Sequence, residues 1–159
     1  MARNGFYLAL VALVFAGSLH GQCQPGGLAV IVNKSNKVES LSMAQLRKLI
    51  LGDVRAWQNQ QAVVLVSRDQ SSKVFACVLS AVVRQSSGDY HRYIINAEFR
   101  GDEPMAIQTV DSDASAARAV SGNPGGLAVV EANSATAISG TVKVIRIEGK
   151  AVGQPGYPL

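Results

Sequence analysis

The sequence predicts an α/β fold: a single three-layer α/β/α lobe built on a mixed, mostly parallel sheet of about five strands. Two apolar runs, Leu28-Ala29-Val30-Ile31-Val32 and Ala62-Val63-Val64-Leu65-Val66, read as strands covered on both faces. Between and after them lie stretches whose apolar residues recur at helical spacing. The 159 residues fit one domain with a substantial core.

Residues 1–21 stand apart from that domain. Arg3 gives a basic start, Phe6 to Ala16 form a short apolar run, and small or polar residues Gly17, Ser18, His20 and Gly21 follow. This is the layout of a secretory signal peptide, too short to span a bilayer. Cleavage is placed after Gly21, although Leu19 is larger than ideal. Lipid attachment at Cys23 is disfavoured because Gly21 and Gln22 do not supply the pattern such a site needs.

The domain proper is set at residues 22–152. After the first strand come the turn residues Asn33-Lys34-Ser35-Asn36. Ser42, with Gln45 three positions on, forms a capping-box pattern, and Met43, Leu46, Leu49 and Ile50 give the stripe of a helix stopped by Gly52. Trp57 lies in the connection to the second strand. The turn Arg68-Asp69-Gln70-Ser71-Ser72 opens a helix expected over residues 73–84, with Val74, Phe75, Val78, Leu79 and Val82 inward. A short helix over 89–96 is expected to bury Tyr90, Tyr93 and Ile94. Asp102-Glu103-Pro104 breaks the chain. A weak strand over 106–110, a helix over 112–120 and strands over 127–130 and 141–147 follow, and residues 153–159 read as an irregular tail.

The hexapeptide Pro25-Gly26-Gly27-Leu28-Ala29-Val30 recurs as Pro124 to Val129. A true repeat would extend the likeness through a whole unit, but the first copy leads to a long helix and the second to no comparable one. Both copies read as glycine-flexed lead-ins to central strands.

The order of pieces is informative. A strand ending in Asn33 is followed by Ser40-Leu41-Ser42, a helix ending Leu51-Gly52, Trp57, and Arg68-x-x-Ser71 before a helix carrying Phe75. Later come Phe99-Arg100-Gly101, the Pro124-Gly125-Gly126 strand, Gly149-Lys150 and Gly156-Tyr157-Pro158-Leu159. This order resembles the phosphate-binding subfamily of the type 2 periplasmic solute-binding proteins, over essentially all of residues 22–159. The resemblance implies one lobe of a two-lobe fold, with the twin hexapeptides where the chain would cross between lobes. The strands at 28–32 and 127–130 should then be neighbours. It also implies phosphate or a similar oxyanion as ligand, and a membrane transporter or another periplasmic protein as partner.

In that family an Arg-x-x-Ser-Gly-Thr segment at a helix start grips the anion. The matching residues are Arg68, Ser71, Ser72 and Lys73, with Ser72 and Lys73 replacing the usual Gly and Thr. Independently of the resemblance, a helix N-terminus offers unpaired N–H groups and a positive dipole end. Arg68 adds a two-pronged donor and Ser71 a hydroxyl. Such a seat must keep its N–H groups free and facing solvent; if Asp69 or a neighbouring side chain fills it, the binding reading fails there. The plainer alternative makes Ser71 an ordinary N-cap and Arg68 a solvated surface residue; if Arg68 does bind the anion, Arg68→Ala should abolish binding and leave the fold intact. Asn33, Trp57 and Arg100 are accessory candidates, Trp57 as a lid.

Other classes fare worse. The formal charge of +4 is spread along the chain without a basic run, so no nucleic-acid partner is expected. Two cysteines and one histidine beyond the leader offer no zinc set, and no cofactor is expected. His91 with Ser87 or Asp89 makes no catalytic triad, so the protein reads as a non-enzyme. Tyr90, Arg92, Tyr93 and Arg100 read as an amphipathic face rather than a partner surface. Cys77 falls on a buried helical face and reads more readily as a free thiol than as a partner of Cys23. The rival to a binding protein is a single-lobe interaction module that has lost its ligand.

Overall fold

The computed structural model describes residues 23–100 and 105–159. The expected signal peptide and the Asp102-Glu103-Pro104 break lie outside them. The strands are β1 (Leu28–Val32), β2 (Ser40–Leu41), β3 (Val64–Arg68), β4 (Ala106–Val110), β5 (Gly126–Glu131) and β6 (Lys143–Ile147). The helices are α1 (Met43–Leu51), α2 (Lys73–Val78), α3 (Ser87–Phe99), α4 (Asp113–Gly122) and α5 (Ala132–Ile138).

The strands form one six-stranded sheet in the order β2-β6-β1-β5-β3-β4. β1 runs antiparallel to both its neighbours, whereas the β2–β6, β5–β3 and β3–β4 pairs are parallel. The sheet is therefore mixed as expected, with one strand more than anticipated. The addition is β2, whose two residues carry too little apolar pattern to read as a strand.

All five residues of β1 are buried, and they divide between two cores by the period of two of a strand. Leu28, Val30 and Val32 face a core of large side chains that includes Leu46, Leu49, Ile50, Phe75 and Val82. Ala29 and Ile31 face a tighter one with Ala116, Ala117, Val120, Ala128 and Ala135. The first core is covered by α1, α2 and the turn after α2, the second by α4 and α5. Small residues on the second face let those two helices sit close to the strands.

The two hexapeptide strands are partners, with Leu28 opposite Glu131 and Val32 opposite Leu127. Their glycines answer different demands. Gly26 adopts φ +80° in the turn before β1, a conformation that favours glycine. At Gly125 a Cβ would lie 1.9 Å from the Ala62 carbonyl oxygen, so only a bare Cα fits. Similar sequence thus serves antiparallel strands with unlike surroundings.

Some local expectations hold and others need correction. α1 has the full capping box, with Ser42 accepting from the Gln45 N–H and Gly52 closing the helix at φ +75°. The helix expected over 73–84 is instead α2 followed by a wider π-type turn, Leu79–Val83, that ends at Arg84 with φ +57°. The helix expected over 89–96 extends to Ser87–Phe99. Glu131 opens the seven-residue α5, where no helix was anticipated. The tail has no helix or strand, yet Tyr157 and Leu159 are buried in the larger core.

The reading of the cysteines is also overturned. Cys23 and Cys77 form a disulfide, with their Cα atoms 5.3 Å apart. Fifty-four residues of sequence separation concealed it: the pairing depends on β1 bringing its lead-in beside α2, which only the tertiary fold decides. Tying off a loop of that size is worth up to about 4 kcal/mol in the chain-entropy picture.

Tyr157 generates a test. Its hydroxyl is buried without a hydrogen-bond partner, and burial pushes its pKa up to about 12 from 10.0. A raised pKa favours the neutral phenol in the fold. That contribution is whole below pH 10 and is lost as pH rises toward 12. Tyr157→Phe should keep the parent's stability at neutral pH or raise it by up to ~1 kcal/mol, because no partner is forfeited. It should also flatten the loss of stability between pH 10 and 12. Urea unfolding followed through Trp57 fluorescence checks both.

Candidate functional site

Five strands finish at one edge of the sheet, the edge at which β1 begins. In open α/β sheets ligands bind outside the carboxyl ends of strands. Here that edge gathers Gly26 and Gly27 before β1, the Arg68–Ser72 turn after β3, Asp111 to Asp113 after β4, and Glu131 after β5.

Arg68 is not a solvated surface residue. Its side chain is 15% exposed and forms an ion pair with Asp113, itself 11% exposed. The other guanidinium nitrogen donates to the Asp111 carbonyl at 2.8 Å, while Nε is buried without a partner. Asp113 also accepts from the Glu131 N–H at 3.1 Å. One carboxylate at the start of α4 therefore clamps the ends of β3 and β5 together.

Asp69 organises the rest of the turn. Its carboxylate accepts from the Ser71 N–H at 2.9 Å and from the Ser71 hydroxyl. Its carbonyl accepts from the Ser72 N–H at 2.9 Å. The two Ser71 contacts, the hydroxyl foremost, hold the Asp69 carboxyl below its usual pKa and keep it ionised at neutral pH. The helix starts at Lys73, as the sequence suggested, but its N-cap is not Ser71. Ser72 is the N-cap, accepting from the Phe75 N–H at 3.1 Å. The N–H groups of Ser71 and Ser72 are thus already taken, which counts against them as direct anion donors.

Lys73 and Val74 carry the next N–H groups, and neither meets an acceptor among the described residues. Both line an open hollow of about 300 Å³. Its walls are Gly26, Gly27 and Leu28, the Cys23–Cys77 bridge, and Glu131, Ala132 and Asn133. The starts of α2 and α5 converge on it. Two positive dipole ends and the Lys73 ammonium favour an anion, and the Glu131 carboxylate opposes one.

The accessory candidates are elsewhere. The Asn33 amide donates at 2.9 Å to the carbonyls of Val120 and Ser121 at the end of α4, and its oxygen accepts from Ser35. Trp57 is 6% exposed and donates to the Gly125 carbonyl at 3.0 Å, so it is a core residue and not a lid. Both lie by the Val64–Gly126 end of the sheet, opposite Arg68. Arg100 lines a separate hollow with Gly52, Asp53, Arg55 and Tyr93. His91 contacts Gln70 at 2.7 Å, while Asp89 is engaged by Ser86 and Arg92. Among the described residues no group of three or more His, Cys, Asp or Glu side chains is placed to hold a metal. No helix among them is long and apolar enough to cross a membrane.

Sequence reasoning missed Asp113, Glu131 and Val74. An aspartate in a first helical turn complements any helix dipole, and nothing in its neighbours marks Asp113 as the partner of a residue 45 positions away.

No family model and no curated protein matches this chain. Solved structures do share its fold. An ABC-type phosphate transport receptor from Vibrio cholerae superposes with a TM-score of 0.63 at 22% identity, over 79% of this chain and 48% of that one. A putative phosphate ABC transporter substrate-binding protein with bound phosphate from Clostridium perfringens gives 0.63 at 18%, over 79% and 46%. PstS from Borrelia burgdorferi gives 0.62 at 12%, over 78% and 48%. The chain spans about half the length of these structures. The likeness establishes the α/β fold expected from the order of motifs, shared with about half of each of these structures.

The Arg68–Asp113 pair yields the second test. Removing one partner of a largely buried pair strands the other charge, so Asp113→Ala should cost about 2–4 kcal/mol. Arg68→Ala should cost a similar amount, contrary to the expectation that Arg68 is dispensable. Urea unfolding of both variants and of the double variant measures the coupling. A coupling near zero would mean that water screens the pair.

Proposed function

We propose that this chain is an exported, non-enzymatic binding lobe that takes phosphate or a similar oxyanion in the hollow between the starts of α2 and α5. The observation that carries the proposal is the convergence of Lys73, the open first turn of α2 and the first turn of α5 on one cavity at the carboxyl edge of the sheet. Lys73 and the N–H groups of Lys73 and Val74 make the direct contacts. Arg68, Ser71 and Ser72 act as positioning residues, since their own bonds fix the turn. The fold's solved relatives include phosphate-binding proteins, which supports the choice of ligand. A leader at residues 1–21 and a disulfide both suit an oxidising compartment outside the cytoplasm. A membrane transporter or another periplasmic protein is the partner such a lobe would serve.

The hollow is open to solvent and leaves a ligand partly in water, whereas enclosed sites cover ~70–90% of a small ligand. Affinity should therefore be low, with a dissociation constant on the order of 1 mM, or about −4 kcal/mol. The second reading, an interaction module without a ligand, is favoured by one observation: Asp69 already engages the Ser71 donors, and Asp113 and the Asp111 carbonyl engage the two terminal nitrogens of Arg68.

Calorimetric titration of the chain lacking its leader with phosphate and sulfate separates the two. Millimolar binding that Lys73→Ala abolishes and Glu131→Gln tightens by roughly tenfold supports the binding lobe; removing a nearby like charge is worth about 1 kcal/mol or more where water is partly excluded. No binding by either protein at millimolar anion leaves the interaction module as the function.

A further inference from the structure

Parallel strands are normally covered on both faces. β4 is parallel to β3, yet Ala106, Ile107, Gln108 and Thr109 are all exposed, Ile107 at 40%. The far edge of the sheet is protected in the usual ways: β2 has only two residues, with the Glu39–Lys143 ion pair beside it. Among the described residues β4 has no such protection. Its five residues, Ala-Ile-Gln-Thr-Val, contain no charge and no proline, and its register with β3 runs unbroken from Ala106 to Val110.

The backbone shows which groups are left over. The Val110 carbonyl accepts from the Asp69 N–H at 3.0 Å, so Val110 faces β3. Alternate residues Gln108 and Ala106 face β3 as well, opposite Val66 and Val64. Ile107 and Thr109 therefore turn their N–H and C=O groups outward, where only another strand can pair them in series.

We propose that β4 is a homodimer interface, at which two copies join antiparallel about a two-fold axis through Gln108 to continue the sheet. In that register Ile107 lies opposite Thr109 of the second copy, and each exchanges both its hydrogen bonds with the other. Every outward group of both strands is then satisfied. Ala106 falls opposite Val110, Gln108 opposite Gln108, and Asp111 opposite Met105, so no like charges meet. A second copy thus fits this edge with every outward group paired and no charge clash within the paired strands. Pairing at β4 leaves the carboxyl-edge hollow to one side, so it is independent of ligand binding.

The test is sedimentation velocity at protein concentrations on the order of 100 μM, where a dimer of micromolar affinity is fully formed. The parent should sediment as a dimer. Thr109→Pro removes an outward N–H without touching the β3 ladder, and proline is tolerated at such edge positions. It should weaken the dimer at least about tenfold with the circular dichroism spectrum unchanged, whereas Thr109→Ala, which keeps the N–H, should remain dimeric. Ile107→Lys, which sets like charges diagonally across the two-fold, should also dissociate it and serves if Thr109→Pro does not fold. A monomeric parent overturns the proposal, and so does a dimer indifferent to both Thr109→Pro and Ile107→Lys.

Discussion

The ion pair between Arg68 and Asp113 fixes more of this molecule than any other single contact. It joins the last residue of β3 to the first residue of α4, and the same carboxylate holds the Glu131 N–H at the end of β5. Three elements distant in sequence are thereby pinned at one edge of the sheet. With Arg68 held inward, the turn after it is free to fold around Asp69, and α2 begins at Lys73. The position of the α2 donors at Lys73 and Val74 follows from that starting point. The same pair sets a functional limit, because a guanidinium already matched by a carboxylate and a carbonyl is a weaker claimant for an external anion.

β1 plays the corresponding role in the core. It is the one strand of the six that runs against the rest, and it lies between β5 and β6 with both faces covered. Its lead-in carries Cys23 to within bonding reach of Cys77, so the disulfide anchors the start of β1 to α2 beside the hollow. Reducing the bridge should therefore loosen the wall of the cavity before it disturbs the sheet, since the bridge lies outside the strand ladder.

The strands and helices with strong local signals were legible in the sequence. Leu28 to Val32 announced a strand buried on both faces, and the Ser42–Gln45 box and Gly52 bounded α1 because capping chemistry is local. What escaped depended on tertiary placement. β2 is two residues long and exists only through β6. The π-type turn at Leu79–Val83 differs from an α-helix by one widened ring, which no side-chain pattern records. At the site, Arg68, Ser71, Ser72 and Lys73 were found together as the sequence grouped them, but their roles were redistributed. Asp69 and Asp113 are close to them in space, and nothing along the chain said that Asp113 would face Arg68. Asn33 and Trp57 looked available because polar and aromatic loop residues often are. Their hydrogen bonds to Val120, Ser121 and Gly125 show them holding the opposite end of the sheet.

The central claim is that an oxyanion meets this lobe at the first turn of α2 and not at Arg68. Backbone amide shifts of a ¹⁵N-labelled protein under phosphate titration address it residue by residue. The account predicts saturable shifts at Lys73 and Val74, with smaller ones at Ala132 and Asn133 across the hollow, and little change at Arg68 and Ser71. Shifts centred on Arg68 and Ser71, with Lys73 and Val74 unmoved, would contradict it.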